Sequence, residues 1–188
     1  MISRLTIYLW HHLRYVPLLS ALTISRGRSF NKRSQALGNL FGMVVGFFPI
    51  ATRRFDREFR RVFPDMPLSA RIKMGRAMGR KMGQTLFEIY HCAEFLKQKY
   101  SFKVSGPGLE MLKNARAKGK GAIIVSGHFG QWEAIRAVLI AQGLETGAVY
   151  KPQSNRHYQR RLSSGIQGGG QPILETGSNG TREMIRHL

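Results

Sequence analysis

The chain has 188 residues, 43% of them hydrophobic and 21% charged, which excludes wholesale disorder and allows a real core. Its single cysteine excludes a disulfide scaffold and any four-thiolate zinc site. Thirty Lys and Arg against ten Asp and Glu give a formal charge of +20, so the chain suits polyanions: nucleic acid, an anionic membrane surface or phosphorylated substrates.

The charge is uneven, +13 over residues 1–86 and +7 over 87–188. The more basic half also holds the most apolar stretches. Ile7 to Trp10 and Val16 to Ile24 come first, and the adjacent His11 and His12 would point apart on a helix. Then Leu37 to Ala51 runs fifteen residues without a charge, with Arg33 before it and Arg53 and Arg54 after it. A full membrane span needs about twenty apolar residues, so this run is short. Its neighbouring cations favour interfacial or re-entrant membrane contact over a buried core helix. Residues 1–66 are therefore expected to form a basic, apolar, membrane-associating helical region.

From Pro67 to about Lys99 the pattern is helical. Met74, Met78, Met82, Leu86, Ile89, Ala93 and Leu96 recur at steps of four and three, a stripe expected to pack as core. Lys73, Arg76 and Arg80 form a basic stripe on the same helix. After Tyr100 the rhythm changes. Strands are expected at Phe102–Val104, Ala122–Ser126, Thr146–Tyr150 and Pro172–Leu174, and helices at Leu109–Ala117, Gln131–Gln142, Asn155–Gln167 and from Arg182 onward. Ala122–Ser126 (AIIVS) is β-branched without interruption, the mark of a strand buried on both faces. This alternation predicts an α/β fold, with a parallel-rich αβα sheet over residues 67–188 behind the helical region. The chain stops inside its last helix, and the sheet looks incomplete at that end.

Chemistry concentrates in Ser126-Gly127-His128-Phe129-Gly130-Gln131-Trp132-Glu133, where a strand would end, glycines turn the chain and a helix begins. On one continuous helix His128 and Glu133 would lie about 140° apart. They can meet only if His128 sits in the turn and Glu133 in the first helical turn, which the glycines permit. A carboxylate on one imidazole nitrogen frees the other to take a proton from a hydroxyl attacking an acyl carbonyl. Backbone N–H groups at that helix start would help to hold the oxyanion. No G-x-S-x-G occurs, and His91, Cys92 and His157 lack paired ligand spacing, so a serine hydrolase and a metal site are both disfavoured. No zinc-finger or aromatic RNA-binding string occurs either, which ranks a basic nucleic-acid-binding protein last.

SGHFGQWE resembles the H-x4-(D/E) motif of the lipid A biosynthesis acyltransferases, the lauroyl and myristoyl transferases of the wider lysophospholipid acyltransferase superfamily. Arg61-Val62-Phe63-Pro64-Asp65 is similar to that family's "FPD" segment, and Val149-Tyr150-Lys151-Pro152 with Asn155 to its "vYRP…N" segment, with Lys151 where arginine is usual. The resemblance covers about residues 50 to 188. It implies His128 as general base and Glu133 as its partner. It also implies Phe129, Gly130 and Trp132 as residues shaping the site, and Lys151, Asn155, Arg160 and Arg161 as contacts to acceptor phosphate or sugar. It further implies an acyl carrier protein thioester as donor, a phosphorylated lipid A precursor as acceptor, no metal or other cofactor, and a place on the cytoplasmic face of a bacterial inner membrane. On that reading the methionine stripe has a second possible role, as a flexible wall for an acyl chain. The family's later "DQ" and "FFG" segments have no counterpart here, so an inactive, truncated remnant of such an enzyme is the alternative.

Overall fold

The computed structural model describes residues 4–24, 26–97, 103–128, 130–131 and 133–188. They form two compact units, Met1–Glu88 and Ile89–Leu188. In the first, helices α1 (Arg4–Ile24), α2 (Phe30–Phe47) and α3 (Pro49–Val62) lead into α4 (Leu68–Tyr90). The step from residue 66 to 67 is the short connection between α3 and α4, inside this unit.

The apolar run does not form one rod. Phe48 precedes a proline, whose ring disfavours helical backbone in the residue before it. Phe48 is accordingly extended (φ −87°, ψ 115°), and Pro49 occupies the first turn of α3, where its missing N–H costs nothing. α2 and α3 meet at 83°. The Thr52 hydroxyl donates to the Val45 carbonyl at 2.7 Å, satisfying one of the acceptors orphaned at the end of α2. Among the described residues no single helix is long and apolar enough to cross a membrane, but this bent pair reaches the necessary length and composition. Leu37 and Val45 are buried, whereas Phe47 and Ile50 at the bend are 74% and 87% exposed.

α2 and α4 approach through glycines spaced four apart on both helices: Gly38, Gly42 and Gly46 on one, Gly75, Gly79 and Gly83 on the other. A Cβ at Gly83 would lie 2.7 Å from the Leu37 carbonyl oxygen, and one at Gly38 would lie 2.8 Å from that of Arg80. Phe30 against Phe87 (ring centroids 5.2 Å apart) and Ser34 donating to Glu88 (2.8 Å) close the other end of the crossing. The methionines of the stripe are therefore not core, whereas its Ile89 is buried. Met74, Met78 and Met82 each stand one residue before a glycine, about 100° round the helix, and are 37%, 43% and 55% exposed. The glycine row allows a closer backbone approach than methionine would, and it takes the buried face. Gly83→Ala is expected to force the helices apart at the cost of overpacking, about 1–3 kcal/mol. Chemical denaturation checks this, and an unchanged midpoint would contradict the close crossing.

Asp56 ties α3 to α4. It accepts from Arg71 Nε and from Arg60 Nη2, each at 2.6 Å. The Arg71 hydrogen bond, opposed by burial and aided by Arg60, holds the Asp56 carboxyl below its ordinary value. A lowered folded-state value means that the stabilisation is complete above the unfolded carboxyl's pKa, about 3.9, and is lost as pH falls through the folded value. Asp56→Asn is expected to flatten the loss of stability below about pH 4. Denaturation midpoints across the acid range test it; parallel curves for the two proteins would contradict it.

The second unit contains α5 (Cys92–Lys97), α6 (Gly108–Ala117), α7 (Glu133–Ala141), β1 (Ala148–Tyr150), α8 (Arg156–Gln167), β2 (Ile173–Glu175) and α9 (Ser178–His187). The expected long helix is thus broken at His91 into α4 and α5. β1 and β2 pair in parallel, Ala148 beside Ile173 and Tyr150 beside Glu175, with α8 as the crossover between them. The chain is mostly helical with this small parallel sheet, consistent with an α/β class. Two expected strands are not found as such. Phe102 lies outside the described residues, and Lys103 and Val104 are not in a ladder. Ala122–Ser126 has no ladder partner among the described residues, and Val125 is 92% exposed rather than buried on both faces. β-branched composition supplies the propensity, but burial of such a strand requires neighbours on both sides; β1 and β2 pair with each other.

Candidate active site

The turn into α7 is built from its glycines and Gln131. Gly130 has φ +55°, a left-handed conformation that any side chain would strain. Gln131 then caps the helix. Its Oε1 accepts from the Glu133 N–H at 2.9 Å and its carbonyl from the Ala134 N–H at 3.2 Å, satisfying first-turn donors. His128 lies in this turn and is exposed; Glu133 is the first residue of α7 and is only 5% exposed. The chain therefore places imidazole and carboxylate as the spacing requires, one before the helix and one in its first turn. Phe129 and Trp132 lie outside the described residues.

The carboxylate's surroundings differ from the sequence expectation. Glu133 Oε2 is 2.7 Å from Arg136 Nη1 and accepts from the Cys92 thiol at 3.7 Å. The described hydrogen bonds of Glu133 run to Arg136, Cys92 and Gln131, and none of them runs to His128. A carboxylate at this depth requires a cation, and the residue three positions on along α7 supplies it. Arg136, itself 7% exposed, also donates to the carbonyls of Gly170 at 3.0 Å and Ile166 at 3.4 Å. Burial, then the Glu133 charge, pushes the Cys92 thiol up to about 12. Cys92 therefore stays protonated and serves as a donor to Glu133 rather than as a nucleophile. Neither Arg136 nor Cys92 as a partner of Glu133 was anticipated from sequence. The i, i+3 spacing of Glu133 and Arg136 is the signal that points to the first of them.

The other anticipated residues fall into three groups. Gly130, Lys151 and Arg160 are exposed, with Lys151 directly after β1. Asn155 is the N-cap of α8, its Oδ1 accepting from the backbone N–H groups of His157 at 3.0 Å and Tyr158 at 3.5 Å. Arg161 turns inward, with Nη2 3.2 Å from His91 Nε2 and its guanidinium 5.7 Å from the centre of the Tyr90 ring. At the C-terminal ends of the two strands Tyr150 donates to Glu175 at 2.9 Å and accepts from Gln159 at 2.7 Å. That fastens the start of α8 to the sheet edge beside Lys151. Among the described residues no group of three or more His, Cys, Asp or Glu side chains converges to hold a metal ion.

A parallel β–α–β unit, and a histidine turn that opens α7 on a buried glutamate, are the features of an α/β protein that this part of the chain presents. A family model described as bacterial lipid A biosynthesis acyltransferase matches residues 6–188, and the chain belongs to that family. No curated protein and no solved structure matches the chain.

Proposed function

We propose that this protein transfers a fatty acyl group from an acyl carrier protein thioester to a hydroxyl of a phosphorylated lipid A precursor, at the cytoplasmic face of a bacterial inner membrane. The family match carries the reading, together with His128 exposed in the turn and Glu133 at the first position of α7. The acceptor hydroxyl attacks the thioester carbonyl as His128 takes its proton. The C–O bond forms, the tetrahedral intermediate collapses, the C–S bond breaks, and the proton passes from His128 to the departing thiolate. Glu133 supports the imidazolium that forms in between. Exposed Lys151 and Arg160 suit the acceptor's phosphates. Asn155 contributes by capping α8 and so shaping the loop that carries Lys151, and Arg161 by packing against Tyr90 and His91.

Membrane attachment is assigned to the α2–α3 bend. Phe47, Phe48 and Ile50 are exposed there, and Arg53, Arg54, Arg57, Arg60 and Arg61 follow along α3. Apolar residues at a bend with cations immediately beyond suit an anionic interface.

The test is a panel of donors and acceptors. Acyl carrier protein and coenzyme A thioesters are offered with a phosphorylated acylated glucosamine disaccharide or with a lysophospholipid. Transfer from the carrier protein to the disaccharide is expected to dominate. Preferential acylation of the lysophospholipid would overturn the acceptor assignment.

A further inference from the structure

We infer that Arg136 is a positioning residue for acyl transfer: it holds one oxygen of Glu133 in place so that the other is presented to His128. The inference rests on the proposed pairing of His128 with Glu133 and goes beyond it. Both side-chain bonds described for the Glu133 carboxylate, from Arg136 Nη1 and from Cys92 Sγ, end on Oε2. Among the described residues no side-chain hydrogen bond ends on Oε1. A carboxylate pinned at one oxygen has a defined orientation at the other.

Arg136 can do the pinning because it is itself fixed. Its Nη2 donates to the Gly170 carbonyl at 3.0 Å, and both terminal nitrogens reach the Ile166 carbonyl at 3.4 Å. Ile166 lies in the last turn of α8, where its carbonyl also accepts from the Gly169 N–H at 3.0 Å, and Gly170 precedes β2. One rigid guanidinium thus joins the start of α7 to the end of α8 and to the loop before β2. Space for it depends on glycine. A Cβ at Gly169 would lie 3.3 Å from Arg136 Nη1, and one at Gly170 would lie 3.5 Å from Nη2. A lysine keeps the charge but lacks the planar fork that reaches carboxylate and carbonyls together. Among the described residues, the charged and titratable groups bonded to Glu133 are Cys92 from α5 and Arg136 from its own helix; the α8 end and the following loop contribute the carbonyls that hold Arg136.

The experiment is a double-mutant cycle on acyl transfer with Glu133→Gln, Arg136→Met and the double variant, plus Arg136→Lys. If Arg136 acts through Glu133, either single change lowers kcat, by up to about 10²-fold for a misplaced catalytic group. The double variant is then no slower than the slower single within about threefold, because residues acting as a unit are not additive. Acceptor KM stays within about twofold, since the guanidinium does not touch substrate, and Arg136→Lys restores only part of kcat. Arg136→Met alone leaves a buried carboxylate without its cation and is the variant that endangers folding. Glu133→Gln leaves the Arg136 cation without its carboxylate but still bonded to the Gly170 and Ile166 carbonyls, and the double variant buries no charge at this pair. Comparing these two, with circular dichroism confirming that both fold, therefore decides the matter. Equal kcat supports the inference, and a further loss that multiplies the first overturns it, as does a rise in KM at unchanged kcat. Full activity of Glu133→Gln would instead overturn the underlying pairing, a result distinct from either.

Discussion

His128→Ala is expected to abolish most acyl transfer, lowering kcat/KM by ~10²–10⁴-fold, the usual worth of a general base. The imidazole lies in a turn exposed to solvent, and the fold does not use it as core. Its removal should therefore leave the melting temperature close to that of the wild type. Glu133→Gln is expected to cost less, because the amide keeps the size of the side chain and loses only its charge. The loss should appear in kcat rather than in KM if the two residues act on the transition state. The assay is transfer from the carrier-protein thioester, with circular dichroism confirming the fold of each variant. Retained activity in His128→Ala would remove the mechanism as assigned, whatever the family.

The second large effect concerns the bend between α2 and α3. Phe47 and Ile50 are 74% and 87% exposed, so Phe47→Ser with Ile50→Ser deletes almost nothing from the core. Fully burying each such side chain is worth about 1.5–3 kcal/mol. Losing both is expected to weaken partition onto anionic vesicles by roughly 10²-fold or more. The arginines of α3 act at longer range, screened beyond about 8 Å at physiological ionic strength. Wild-type binding should therefore persist in high salt and yield to detergent. Vesicle sedimentation at low and high salt makes the comparison. Complete release by salt alone, or unchanged binding of the double variant, would contradict an apolar anchor at the bend.

Local signals were the legible ones. The apolar run, read as continuous to Ala51, breaks at Pro49, a break that the rule for the residue before proline could have placed without tertiary information. Asn155 is an N-cap by residue type, and α6, α7 and α8 fall where periodicity puts them. Gly127 and Gly130 permit the turn that sets His128 ahead of α7 and Glu133 within it. What depended on partners from elsewhere in the chain was misread. Ala122–Ser126 has the composition of a central strand, but composition does not say whether neighbours pair with it. The methionines of α4 hid the glycines beside them. Hydrophobic periodicity weighs side chains, and a crossing made by backbone contact shows itself through small residues instead. Gly75, Gly79 and Gly83 were in view at a spacing of four, matched by Gly38, Gly42 and Gly46, and the matched spacing was the usable signal. Arg136 was passed over for a similar reason. Its i, i+3 spacing from Glu133 was the usable signal, and the depth of Glu133 is what makes that pair matter.

The most direct test follows both partners of the reaction by mass spectrometry in one experiment. Wild-type protein is mixed with an acyl carrier protein thioester and the phosphorylated disaccharide lipid, and the masses of protein and acceptor are recorded over time. General-base catalysis predicts that the acceptor gains one acyl group while the protein's mass stays constant, and that the acceptor gains none with His128→Ala. A protein that itself takes up the acyl group, or an acceptor acylated equally by both proteins, would contradict His128 as the base.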